Sequence, residues 1–318
     1  MSTEDSNPRG TENVDTRRRV LRTSRAVATS DGAGVSLARV FPTFGSMKET
    51  DPFLLMDELG PSTFGPREAP GFPDHPHRGF ETVTYVLEGM FEHRDSTGGG
   101  GIIGPGETQW MTAGSGLVHS EMPAGQFFEE GGTSHGFQLW VNLPAAKKMI
   151  PPRYQDLKGP QLGTVDLDDG AVSVRVIAGS LAGGSGPGST QTPIIYAHAT
   201  LQSGACLDVP WPESFNALVY VFGGEIQVVS GPTEVAIAGS ATSLAHGAQT
   251  LVELVGGDRV TLQAVGNEPA EVMLMGGEPI GEPIEHWGPF VMNTREEIVQ
   301  AVRDYESGKL GVIVARDR

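Results

Sequence analysis

Two short strings hold the residues best able to do chemistry, His75-Pro76-His77 and His119-Ser120-Glu121. In an extended strand the side chains alternate faces, so the members of each i, i+2 pair point the same way, about 6.5 Å apart along the backbone. Two such pairs on facing strands can close on one ion. Three neutral imidazoles and one carboxylate form a borderline nitrogen and oxygen set that suits Fe(II), with Mn, Co, Ni, Cu or Zn as substitutes. Four protein ligands on an octahedral ion leave two positions for water, dioxygen or a chelating substrate, unlike a closed tetrahedral zinc site. The competing reading places His75 and His77 in a Pro-rich surface loop and makes His119 a hydrogen-bonded strand residue, because such short strings also arise by chance.

The elements that must position these groups are strands. From about Val35 the chain runs in β-branched or aromatic stretches broken by Gly, Pro, Asn or Asp, among them ETVTYVLEG, HGFQLWVNLP, AVSVRVIAG, NALVYVFGG and EVMLMGG. This rhythm predicts an all-β fold of the sandwich or barrel type. One helix is predicted at the C-terminal end, capped by Asn293 or Thr294, with Glu296 and Glu297 at its positive start and Ile298, Val299, Val302 and Tyr305 at helical spacing. The chain also repeats itself: Tyr85, Val86 and Gly89 recur at a constant offset as Tyr220, Val221 and Gly224. At that offset His75 and His77 fall on Pro210 and Pro212, and His246 has no carboxylate two residues on. A second copy that keeps the scaffold without the ligand pairs favours a site in the first copy over a folding role.

The chain has 318 residues with 44 Gly, 23 Pro and a net charge of −17, enough length for two cores and a surface that repels phosphate backbones and anionic lipid. Residues 1–30 are expected to form a mobile tail, 31–150 a first metal-binding barrel, and 151–318 a second barrel without ligands plus the helix. The boundary is placed at Pro151-Pro152, and LAGGSGPGSTQTP (181–193) is read as a long loop inside the second copy. No direct nucleic-acid or membrane partner is expected, and the polar start together with a single cysteine, Cys206, points to a cytoplasmic location. Cys206 itself is read as a small buried hydrophobe. Trp110, Met111, Phe137 and Trp140 are read as core, and the Arg17 to Arg25 run as a solvated segment with a capacity to dock an acidic partner. GGGGIIGPGE (98–107) lacks the Lys and Ser or Thr of a phosphate loop, and strand alternation turns Ser120 away from its neighbours, so nucleophilic catalysis is not expected.

The stretches DPFLLMDELG (51–60), GFPDHPHRGFETVTYVLEG (71–89), QWMTAGSGLVHSEMP (109–123), HGFQLWVNLP (135–144) and GPFVMNTREEI (288–298) closely resemble the pirin family of the cupin superfamily, over about residues 33 to 310. The resemblance implies a bicupin, two cupin-type β-barrels with a C-terminal helix, holding one Fe(II) per chain in the N-terminal barrel through His75, His77, His119 and Glu121. Glu81, in HRGFE, stands where many cupins place their carboxylate ligand; same-face parity permits it as a rival, while the pirin pattern selects Glu121. His135 is not a ligand position in the family and is a candidate for a supporting role. The implied activity is that of an iron-dependent dioxygenase of the quercetin 2,3-dioxygenase type, opening a flavonol with O2 and releasing CO, with Glu121 also taking the substrate proton. The alternative implied by the same resemblance is a metal-dependent regulatory protein that contacts a protein partner and uses iron as a redox or structural switch.

Overall fold

The computed structural model describes residues 16–43, 46–230 and 244–314. Within them the strand-forming runs pair into two copies of one unit, each a seven-stranded sheet closed by a four-stranded sheet. In the first barrel the large sheet runs, edge to edge, Arg153–Leu157, Thr108–Thr112, Phe80–Glu88, Gly132–Asn142, Phe53–Phe64, Val35–Phe41 and Val27–Asp31. Its small sheet is Phe72–His77, Leu117–Pro123, Phe91–Asp95 and Gly100–Ile103. The second barrel repeats this order: Arg19–Arg25, Thr250–Val255, Asn216–Gly223, Ala270–Gly277, Ile194–Leu201, Val172–Ala178 and Thr164–Leu167 in the large sheet. Its small sheet is Cys206–Pro210, Arg259–Val265, Glu225–Val228 and His246–Gly247. The duplication read from Tyr85 and Tyr220 therefore corresponds to the third strand of each large sheet, and 181–193 is a loop between two large-sheet strands of the second barrel.

Period-two alternation sends one face of each large sheet into its own barrel and the other toward its twin. Val83, Tyr85, Phe137 and Leu139 of the first meet Leu218, Tyr220, Met273 and Met275 of the second in a shared core, which also holds Trp110. The second barrel's interior is filled by Val172, Val174, Leu207, Val209, Val260, Leu262 and their neighbours. The first barrel has two smaller apolar clusters, one with Leu54, Phe80 and Val291 and one with Met111, Ala113 and Leu117.

The two ends of the chain are exchanged between the barrels. Arg19–Arg25, expected as tail, is an edge strand of the second barrel, and Val27–Asp31 is an edge strand of the first. Only residues 1–15 of the expected tail lie outside the described residues. Part of the basic run is paired within the molecule: Arg22 with Glu253 at 2.5 Å and with Glu49, while Arg18 donates to the Pro212 and Glu213 carbonyls; the strand otherwise stays largely exposed. At the other end the hairpin Glu285–Trp287 and Phe290–Met292 and the helix Arg295–Glu306 return to cover the first barrel. Fully buried Lys148 fastens the hairpin, donating to Gly79 O (2.8 Å), Asn142 Oδ1 (2.7 Å) and Val291 O (3.1 Å), and burial pushes its pKa down to about 8.

Thr294, not Asn293, caps the helix, in a capping box with Glu297. Of the expected stripe, Ile298 is buried and Val302 packs against the same core, whereas Val299 and Tyr305 are exposed; Ala301 and Asp304 complete the inward face, Asp304 receiving the buried Arg78 guanidinium at 2.9 Å. A second, six-residue helix, Gly125–Glu130, was not expected; its N-cap position is Ala124, which offers no capping side chain to read. Cys206 is exposed rather than buried: Leu207 and Val209 take the inward places on its strand and leave Cys206 and Asp208 outside. Among the described residues no helix is long and apolar enough to cross a membrane.

Candidate metal centre

His75 and His77 end one strand of the small sheet, and His119 and Glu121 lie on the strand antiparallel to it, with His119 opposite His75. The i, i+2 pairs therefore point into the barrel together. Donor nitrogens of His75, His77 and His119 lie within 4.8 Å of one another, and the Nε2 atoms of His75 and His77 are 3.1 Å apart. The opposite ring nitrogens of this pair face main-chain oxygens, His75 Nδ1 to Pro73 O at 2.8 Å and His77 Nδ1 to Pro289 O at 3.3 Å. A carbonyl only accepts, so the protons sit on Nδ1 and both Nε2 lone pairs face inward. His119 Nε2 is buried with no partner. Burial first, and then the neighbouring rings, push the His77 and His119 pKa values well below the ordinary value, so both rings are neutral. Neutral imidazoles with converging, unpartnered nitrogens are the state that binds a divalent cation and a costly one to bury without it.

Glu121 belongs to the same cavity. Thr84 Oγ1 donates to its Oε1 at 2.8 Å and Gln138 Nε2 to its Oε2 at 3.3 Å, which fixes the carboxylate in the cavity, outside the group of three imidazole donors that lie within 4.8 Å of one another. The cavity measures about 400 Å³ and is walled by Phe72, Leu55 and Trp140 as well as by His75, His77 and Glu121. Its mouth carries the Arg39–Asp57 ion pair (2.8 Å), together with His286 and Pro289 from the returning C-terminal hairpin. Trp140 thus lines a pocket, whereas Trp110, Met111 and Phe137 are core as expected.

Glu81 does not join the cluster. Thr84 on the same strand faces Glu121, and odd spacing turns Glu81, with Val83 and Tyr85, to the opposite face. There Thr112 Oγ1 donates to Glu81 at 2.6 Å, its second oxygen is buried without a partner, and burial raises its pKa. The even count from His77 fails because the chain breaks at Arg78-Gly79, where Gly79 has φ +90°, and the alternation restarts. His135 sits at the seam between the barrels, bonded to Glu58 at 2.9 Å, and touches no member of the cluster.

The structure adds a group the sequence reading passed over. His93, buried at 1% exposure, places Nδ1 3.5 Å from His119 Nδ1 and packs against Tyr154. Its string His93-Arg94-Asp95 has the same i, i+2 form as the other two pairs, and its strand adjoins the one that carries His119 and Glu121. That spacing was the available signal.

Two matched barrels packed face to face, one of them with an inward imidazole cluster, define a bicupin. Residues 34–141 match the Pirin family and residues 196–311 the Pirin C-terminal cupin domain. A Pirin-like protein of Solanum lycopersicum is 42% identical over 288 residues, covering 91% of this chain and 90% of its own length. Pirin of Homo sapiens is 39% identical over 285 residues, covering 89% and 90%. The crystal structure of a quercetin 2,3-dioxygenase from Acinetobacter baumannii superposes with a TM-score of 0.84 at 35% identity, covering 94% of this chain and 100% of that one. The chain belongs to the pirin family.

Proposed function

We propose that this protein is an iron-dependent dioxygenase that opens the heterocyclic ring of a flavonol such as quercetin, consuming O2 and releasing CO. The observation that carries the reading is a cluster of three convergent imidazoles, two of which, His75 and His77, line one cavity of about 400 Å³ together with the held carboxylate of Glu121, a volume within the size range of small-molecule sites. Similarity to a quercetin 2,3-dioxygenase over nearly the whole chain supports the substrate class. His75, His77, His119 and Glu121 would hold the metal, which when bound supplies Lewis acidity and a redox centre for dioxygen chemistry.

The remaining roles belong to the chain. Phe72, Leu55 and Trp140 offer apolar walls to a flat aromatic substrate and keep water from the reacting ring. Glu121, held by Thr84 and Gln138, accepts the proton of the flavonol 3-hydroxyl, so the ring enters the reaction electron-rich. The carbonyls of Pro73 and Pro289 orient two of the imidazoles. Loading the protein with Fe(II) and following quercetin bleaching, oxygen uptake and CO release tests the proposal. Turnover well above that of His119→Ala is expected; turnover no greater than that of the variant overturns it. In that event the regulatory reading remains, and it requires partner capture that differs between the Fe(II)- and Fe(III)-loaded protein.

A further inference from the structure

The seam between the barrels contains two networks related by the duplication, and they are not equivalent. Each barrel sends one tyrosine across to a His and Glu pair of the other. Tyr220 donates to Glu58 Oε2 at 2.5 Å, and Glu58 Oε1 is bonded to His135 at 2.9 Å. On the opposite side Tyr85 reaches His198 Nδ1 at 3.0 Å, and His198 Nε2 is bonded to Glu271 at 2.6 Å. Strand register shows that the acid and the base have changed places. Tyr85 pairs with Phe137, Phe137 with Glu58 and Glu58 with Ala38, whereas Tyr220 pairs with Met273, Met273 with His198 and His198 with Arg175. Where one network has Glu58 and Ala38, the other has His198 and Arg175.

The first network is complete in itself: Glu58 is buried at 3% exposure and both its oxygens are engaged. The second opens on a cavity of about 190 Å³ lined by Tyr85, Arg175, His198, Thr200, Ser173 and Thr164. Among the described residues Arg175 makes no ion pair, although the chain carries a net charge of −17; its Nη1 donates to the Gly106 carbonyl at 3.3 Å and the guanidinium lies beside the Tyr85 hydroxyl. The neighbouring Glu271 is already engaged, its Oε2 bonded to His198 and to Thr200 Oγ1. A guanidinium without a carboxylate, beside an imidazole and several hydroxyls in a small recess, has the composition of an anion site. Replacement of a closed acidic network by an open cationic one in a duplicated frame is not a requirement of folding, since the partner seam folds without it.

We propose that this seam pocket is a second ligand site of the protein, separate from the metal centre, and that it takes a small oxyanion, a phosphate or a carboxylate. Arg175 holds the anion through its fork and the Ser173 hydroxyl donates to it, and the recess of about 190 Å³ is smaller than the roughly 300 Å³ or more of drug-sized ligand sites.

Calorimetric titration of the iron-loaded protein with inorganic phosphate, and separately with acetate, tests the assignment and distinguishes the two chemistries. Saturable binding of at least one anion is expected, weakened tenfold or more by Arg175→Ala. Ser173→Glu, which places a carboxylate in the recess from a half-buried strand position, is expected to abolish it. Binding undiminished in both variants would locate the anion elsewhere, at the metal for instance, and overturns the proposal, as does the absence of saturable binding of either anion at millimolar concentration.

Discussion

The two barrels match strand for strand, yet the inner faces of their small sheets have opposite contents. In the second, Leu207, Val209, Val260 and Leu262 point inward and are essentially fully buried. In the first, the strands at the same places deliver His75, His77, His119 and Glu121 to the interior. Each buried aliphatic side chain stabilises its fold by about 1.5–3 kcal/mol, so the first barrel gives up much of this contribution in return for a polar cavity. It recovers support from outside: the shared core between the large sheets, the edge strand Arg153–Leu157, and the hairpin and helix that return from beyond the second barrel. Duplication here separates contents, one copy holding the imidazole cluster and its cavity and the other a filled aliphatic interior.

This division can be broken or sharpened by experiment. The largest effect is expected from His119→Ala, which should reduce bound iron from about one per chain to a trace, since losing a ligand exceeds the roughly 10–100-fold in affinity that outer partners are worth; metal analysis after growth in iron-replete medium measures it. Next is Leu262→Ala in the second barrel, expected to lower unfolding free energy by about 2–5 kcal/mol while the folded protein retains its iron; parallel loss of iron would show that the two barrels are not independent. Glu121→Gln is expected to deplete iron and turnover, whereas Glu81→Gln, on the other face of its strand, is expected to spare both; the reverse result exchanges their roles.

A further test concerns acid. His77 and His119 titrate below their ordinary value of about 6.5 in the folded protein. Below that value the unfolded chain binds the extra protons, so the melting temperature of metal-stripped protein should fall as the pH drops from 7 to 5. His77→Ala should flatten that slope. The smallest effect is expected from Arg22→Ala, which removes a half-exposed guanidinium paired with Glu49 and Glu253 from the exchanged N-terminal strand and should cost about 1 kcal/mol.

The imidazole cluster was legible because strand periodicity is strict. His75, His77 and His119 follow from two i, i+2 pairs, whose fourth member Glu121 lines the adjoining cavity, and the duplication supplied its own control. Legibility ended where parity was reset or where distant chain intervened. Gly79 reverses the alternation between His77 and Glu81, and a left-handed residue between two strands cannot be counted through. Cys206 could have been placed correctly, since Leu207 and Val209 claim the inward side and Asp208 shares the outward one. The strand at Arg19–Arg25 was hidden because its side chains meet solvent and carboxylates rather than a core, and so carry no apolar rhythm. The cavity mouth was hidden for another reason: His286 and Pro289 reach it from beyond the second barrel.

The bond between His77 and Pro289 O spans 212 residues. On a ribosome adding about 5–20 residues per second, the last strand of the first barrel emerges roughly 7–26 s before Pro289. Until then the cavity lacks the part of its wall that His286, Gly288 and Pro289 supply, so the pocket is the last part of the first barrel to be completed.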